Sequence, residues 1–118
     1  MLRGDWLTSG PSLERFESAL ADATGAKHAI ACTNGTAALH LAMLALSIGP
    51  GEAVIVPTVT FLATANAVRF AGAEVVFADV DADTGLLTAD LLTEALSRVP
   101  AGLRPRAVIP VHLRGLPC

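Results

Sequence analysis

Charged residues and cysteines are scarce in this chain of 118 residues. Charged residues make up only 16% of it, the net charge is −3, and the eight basic residues are scattered. Because nucleic-acid binding needs clustered basic residues, we expect no nucleic acid partner. The two cysteines, Cys32 and Cys118, have neither metal-ligand nor redox spacing, so no metal site is predicted. Two such thiols suit a reducing compartment, and we expect a cytoplasmic location.

Long apolar runs are also missing, although hydrophobic residues make up 53% of the chain. A membrane span needs about 20 consecutive apolar residues. The longest candidate, residues 37–48, is interrupted by His40 and Ser47. The first residues show no basic region followed by an apolar one, as a signal peptide would. We therefore expect no membrane segment and no membrane partner.

Strand-length and helix-length apolar segments alternate along the chain. Strands are predicted at residues 28–32, 53–56, 74–78 and 106–111. Helices are predicted between Pro11 and Gly25, between Gly35 and Gly49, from Thr58 or Thr60 to Ala71, and from Thr88 to Leu96. This order predicts an α/β fold with a mostly parallel sheet covered on both faces, that is, three layers. The helix after Gly35 is expected to be buried on most sides.

The turn Asn34-Gly35-Thr36 lies between a predicted strand and a predicted helix. Free backbone N–H groups and partial positive charge at a helix start favour a phosphate. The turn is therefore a candidate phosphate site, and the simpler alternative is a helix start that needs a glycine for its geometry. Neither a G-x-G-x-x-G motif nor a Walker lysine is present, so a dinucleotide fold or an NTPase is not supported.

Other candidate residues follow the later strands, where ligands of open α/β sheets bind. Phe61 offers a flat ring to a planar ligand, or it is a core residue in the first turn of a helix. The loop Asp79–Asp83 lacks the pattern of an EF-hand, and we expect its aspartates to cap and turn the backbone. His112 ends the last strand and His40 lies within a helix, and we expect structural roles for both.

Four segments together resemble the DegT/StrS-type sugar aminotransferases, which use pyridoxal 5′-phosphate (PLP) and have the fold-type I architecture. They are LTSGP at residues 7–11, FESAL…VIVP at 16–57, TFLAT…VDADT at 60–84 and AVIPVHLRGLPC at 107–118. The segments occur in the family's order and spacing and cover nearly the whole chain. Residues 5–11 and 112–118 look most like the branch that serves pseudaminic acid synthesis, which aminates a UDP-linked 4-keto-6-deoxy sugar.

The resemblance implies roles for individual residues. Gly35 and Thr36 match the turn that holds the PLP phosphate, and Phe61 matches the aromatic position that stacks on the pyridine ring. A stretch that meets the nucleotide-sugar substrate is matched by Asp5, Trp6, Leu7 and Thr8. The resemblance also implies a UDP-sugar substrate, an amino donor that is commonly glutamate, and a homodimer with active sites between subunits.

No catalytic residue can be assigned within the chain. The family's chemistry needs a lysine that holds the cofactor and moves a proton, and an acidic residue that pairs with the pyridinium nitrogen. The only lysine, Lys27, lies away from the strand ends. The resemblance places both groups and the small C-terminal domain after residue 118. We expect residues 1–118 to be the amino-terminal part of the large PLP-binding domain, with the fold incomplete and no activity by itself.

Two alternatives stay open from the sequence. One is a non-catalytic α/β module that binds a phosphate ligand through Gly35 and Thr36. The other is a different fold-type I PLP enzyme, such as a cysteine desulfurase.

Overall fold

The computed structural model describes Thr8 and residues 10–118, and it divides the chain into two units, residues 1–33 and 34–118. The helices are α1 (Pro11–Thr24), α2 (Gly35–Ala45), α3 (Leu62–Phe70) and α4 (Ala89–Ser97). The strands are β1 (Glu52–Pro57), β2 (Glu74–Ala78) and β3 (Arg104–Val108), and a single 3₁₀ turn follows at Leu113–Gly115.

The first unit contains α1 and the segment 28–32. Proline at the first position starts α1, and Gly25 ends it in the left-handed conformation, with φ of 69°. The predicted strand at 28–32 is wrong, because these residues form no strand. The N–H of Ala31 donates to the Glu17 carboxylate at 2.8 Å, and Ile30 is 80% exposed. An apolar run becomes a strand only where another strand accepts its hydrogen bonds.

In the second unit, β1 is the central strand of a parallel sheet with the order β2-β1-β3. Val54 lies opposite Val75 on one side and opposite Ala107 on the other. All six residues of β1 are buried. A strand covered on both faces needs a continuous apolar run, and residues 53–56 supply one.

Helices cover both faces of this sheet. Val54 and Val56 pack on one face against Met43 of α2 and Val68 of α3. On the other face, Ile55 lies in a cluster with Ala53, Val76, Ala78, Leu87 and Ala95, the last of which belongs to α4. The predicted three-layer α/β fold with a parallel sheet is therefore confirmed, with three strands among the described residues rather than four.

Two further expectations need correction. The last strand spans Arg104–Val108 and not residues 106–111, because Pro105 can lie on an edge strand, where its missing N–H breaks no ladder. The helix α2 is less buried than predicted: Met43 is its only buried residue, and Leu41 and Leu44 are exposed. Its apolar residues surround the helix, so their distribution could not indicate which face packs.

Glu52 forms an ion cluster at the start of β1. Its carboxylate accepts a hydrogen bond from Arg104 and lies 3.3 Å from Nε of Arg106, both on β3. The N–H of Gly49 donates to the same carboxylate at 3.2 Å. The side chain of Glu52 is only 10% exposed. The hydrogen bond from Arg104, more than any other contact, holds the pKa of Glu52 below its ordinary value of 4.5.

We predict that Glu52 contributes to the loss of stability in acid. With its pKa lowered in the folded state, this carboxyl takes up a proton at higher pH in the unfolded chain. The cluster therefore stabilises the fold above the unfolded pKa, and this contribution is lost as the pH falls through the folded value. The free energy of unfolding of the wild type, measured with urea, should fall below about pH 5. E52Q should be less stable than the wild type at pH 7, and its stability should depend less on acid.

E74Q is the matched control for this prediction. Glu74 pairs with Arg69 at 2.6 Å, but both side chains are about half exposed, so the loss should be under about 1 kcal/mol. Equal acid sensitivity in E52Q and the wild type would show that other carboxyl groups govern the transition.

Candidate functional site

The two helices on one face of the sheet begin at the same edge. Close contacts join the residues just after α2 and α3: a β-carbon on Gly72 would lie 3.3 Å from the Pro50 ring, and one on Gly49 would lie 3.8 Å from the carbonyl oxygen of Ala71. Since the residues after the two helices meet and the helices pack against each other, we infer that both helices begin at the same edge. The helix α3 follows directly from β1, so this shared edge is the carboxyl edge of the sheet.

Asn34 caps the amino end of α2. Its side-chain oxygen accepts the N–H of Ala37 at 2.9 Å, and its carbonyl accepts the first helical hydrogen bond from Ala38 at 3.1 Å. The N–H groups of Gly35 and Thr36 precede that first bond. Among the described residues, no atom would lie within 4 Å of a β-carbon on Gly35. The helix start offers backbone donors, which fits a phosphate.

Phe61 lies at the amino end of α3, immediately before the first helical residue. Its carbonyl accepts the N–H of Thr64 at 3.0 Å, which fixes the backbone of the turn. The residue is 78% exposed. The alternative that Phe61 is a core residue is therefore wrong in this structure, and the ring is free to stack on a flat ligand.

A pair of threonine hydroxyls lies beside Phe61, and the sequence analysis did not single it out. The Oγ1 atoms of Thr60 and Thr64 are 2.8 Å apart. Thr64 is buried, with 5% exposure, and Thr60 is half-buried. Their separation of four residues across a helix start is the only signal in the sequence that could have indicated this pair.

The loop after β2 holds its aspartates for structural reasons. One carboxylate oxygen of Asp81 accepts the hydroxyl of Thr84 at 2.8 Å and the N–H groups of Thr84 and Asp83 at 2.9 and 3.2 Å. The bond from the Thr84 hydroxyl is the main reason that the pKa of Asp81 is lowered. Across Thr8 and residues 10–118, no group of three or more His, Cys, Asp or Glu side chains could hold a metal ion.

The histidines make local contacts. Nδ1 of His112 accepts the N–H of Cys118 at 3.2 Å and lies 3.5 Å from its sulfur, and both residues are exposed. His40 is half-buried and packs edge-on against Phe70, with ring centroids 5.7 Å apart. Neither contact involves the shared edge of α2 and α3.

The predicted substrate stretch is described only at its last residue. Thr8 is exposed, whereas Asp5, Trp6 and Leu7 lie outside the described residues. Within the part of the chain that the structure describes, no helix is both long and apolar enough to cross a bilayer.

The chain is similar along its whole length to known proteins. Residues 1–118 match the model of the DegT/DnrJ/EryC1/StrS aminotransferase family. GDP-perosamine synthase of Caulobacter vibrioides is 47% identical over 114 residues, which cover 96% of this chain and 29% of that protein. The chain thus spans about 29% of the length of this curated relative.

Two solved structures share both sequence and fold. A Streptococcus pneumoniae protein described as a sugar aminotransferase, in its PLP form, has a TM-score of 0.87 and 35% identity, with 99% of this chain and 29% of that chain covered. The same protein is also known in a PMP form. DesV of S. venezuelae, in complex with a ketimine intermediate, has a TM-score of 0.86 and 38% identity, with 99% and 30% covered.

We predict that the cap at Asn34 stabilises the start of α2. Replacing a capping side chain by alanine leaves a helix-end N–H without its acceptor and costs about 1 kcal/mol. N34A should therefore lower the free energy of unfolding by about that amount, and N34S, which keeps a capping oxygen, should recover most of it. T88A is a matched comparison, because Thr88 caps α4 through the N–H of Leu91 at 3.3 Å. Equal stabilities of N34A and N34S would contradict a capping role.

Proposed function

Because the chain belongs to the DegT/DnrJ/EryC1/StrS aminotransferase family, we propose that it supplies the cofactor-holding part of a PLP-dependent transaminase of nucleotide-linked 4-keto-6-deoxy sugars. The family predicted from the quoted motifs is confirmed by the match. Two observations support the proposal: Gly35 and Thr36 supply backbone donors at the start of α2, and Phe61 is exposed at the start of α3. We infer that the two helix starts share one edge.

Each part of this edge suits one part of PLP. The N–H groups of Gly35 and Thr36 and the Thr36 hydroxyl would hold the phosphate, helped by the partial positive charge of the helix start. The ring of Phe61 would lie against the pyridine ring. When bound, PLP draws electrons from the donor carbon so that a proton can leave. Similar structures in PLP and PMP forms support this cofactor.

The substrate is assigned by class. The proposal keeps the sequence-based prediction of a UDP-sugar of the pseudaminic acid type, met by the stretch from Asp5 to Thr8, and glutamate as amino donor. The curated relative is named for a GDP-linked sugar, so the family relationship supports a nucleotide sugar and leaves the nucleotide open. We also propose a homodimer and a cytoplasmic location, as the sequence analysis predicts. The family match favours a sugar aminotransferase over a cysteine desulfurase.

The lysine that reacts with PLP is distinct from the residues that would bind PLP noncovalently. Lys27 is the only lysine of these 118 residues. It is exposed and lies just after α1, in the unit that does not contain α2 or α3. We propose that these residues bind PLP by shape and hydrogen bonds and that they do not supply the amine that holds it covalently.

The contribution of Phe61 can be measured with PLP and inorganic phosphate as probes. The wild-type chain should bind PLP and induce circular dichroism in the cofactor band. F61A should weaken PLP binding about two- to tenfold, the range expected for one aromatic contact, and should leave the affinity for inorganic phosphate unchanged.

F77A is the matched control, since Phe77 is half exposed on β2 and should leave PLP binding unchanged. Equal losses in F61A and F77A would contradict the stacking role. A wild-type chain that binds inorganic phosphate as tightly as PLP would instead favour the non-catalytic phosphate module.

Covalent attachment gives a second test. Treatment of the chain with PLP and borohydride should give no stoichiometric pyridoxyl adduct by mass, and no turnover of a nucleotide-linked 4-keto sugar, because no lysine lies in the unit that contains the proposed site. K27R should give the same mass profile as the wild type. A single stoichiometric adduct that K27R abolishes would show that Lys27 reacts after all.

A further inference from the structure

The unequal burial of the Thr60 and Thr64 hydroxyls favours one direction for the hydrogen bond between them. Thr64 is in the first turn of α3 and its Oγ1 is buried, with Oγ1 of Thr60 as its partner in the part of the chain that the structure describes. A buried hydroxyl that does not donate its hydrogen leaves a polar group unsatisfied, which costs about 1–3 kcal/mol. We therefore assign Thr64 as the donor and Thr60 as the acceptor.

This direction leaves the hydrogen of Thr60 available. A threonine hydroxyl has one hydrogen and two lone pairs, so after accepting from Thr64 it can still donate once. Thr60 is only half-buried, and it directly precedes Phe61, whose ring faces open space. The donor thus lies at the edge where α2 and α3 both begin.

We propose that Thr60 is a further ligand-binding residue of this edge, which donates its hydroxyl hydrogen to an anionic oxygen of bound PLP, and that Thr64 is the positioning residue that orients it. The inference rests on the proposed function and adds to it a donor that the motifs did not assign. The two threonines act as one unit: Thr64 has no contact with the ligand and affects binding only through Thr60.

Valine and serine substitutions test the pair without a large change in shape. T64V keeps the volume of the buried side chain. It removes the hydroxyl, so no buried donor is left without an acceptor and the fold should persist. T60V removes the ligand contact itself. T60S and T64S keep the hydroxyls and should bind as the wild type does. T58V is the matched control, because Thr58 is an exposed threonine of the same loop.

The experiment measures the dissociation constant for PLP and the induced circular dichroism of the cofactor band, with far-ultraviolet circular dichroism as the check on folding. Loss of a hydrogen bond to a charged oxygen corresponds to about a tenfold weaker affinity for T60V. T64V should weaken binding by about threefold, and the double variant should be no weaker than T60V, because coupled residues are not additive. T58V should match the wild type.

Each result bears on a different claim. Wild-type binding with T60V and T64V both unchanged would overturn the inference and leave the proposed PLP site intact. Additive losses in the double variant would overturn the positioning role of Thr64. Absence of PLP binding by the folded wild-type chain would overturn the cofactor site itself, and this inference with it.

Discussion

Burial of β1 on both faces is the constraint on which the rest of the second unit depends. A strand in that position holds apolar side chains along its middle, and both of its neighbours run parallel to it, an arrangement in which helices cover both faces. Each connecting helix then returns to the amino edge of the sheet, so the chain meets the carboxyl edge only through short turns. Those turns contain Phe61 after β1 and the aspartate loop after β2. Phe61 and the aspartate loop lie at the carboxyl edge as a result.

The two edges of the sheet differ in how fully their polar groups are hydrogen-bonded or paired with other groups of the protein. At the amino edge, the carboxylate of Glu52 is bound by two arginines and a backbone N–H, so the charge is neutralised locally. At the carboxyl edge, the first N–H groups of α2 precede its first helical hydrogen bond, and Phe61 is exposed beside the half-buried Thr60. Polar groups that are paired within the protein stabilise the fold, whereas hydrogen-bond donors beside an exposed ring are suited to a ligand.

Local signals predicted part of this arrangement. The strand at 74–78 and the cap at Thr88 were predicted correctly, because β-branched residues and a capping hydroxyl act through their immediate neighbours. Features that depend on distant residues were not predictable. Residues 28–32 have the composition of a strand, but a strand also needs a neighbour. The hydroxyls of Thr60 and Thr64 meet only because the turn at Phe61 has a particular backbone path, which composition does not encode.

The groups collected at the carboxyl edge also indicate what this part of the protein does in chemical terms. Backbone N–H groups, threonine hydroxyls and an aromatic ring bind by direction and shape, and none of them exchanges a proton near neutral pH. The ionisable side chains nearby are engaged locally, Asp81 with its own turn and His112 with Cys118. Transamination requires a group that accepts and returns a proton at the donor carbon. Under the proposed function, this edge would hold and orient a phosphorylated, planar cofactor, and the proton transfer would need a side chain that this edge does not contain among Thr8 and residues 10–118.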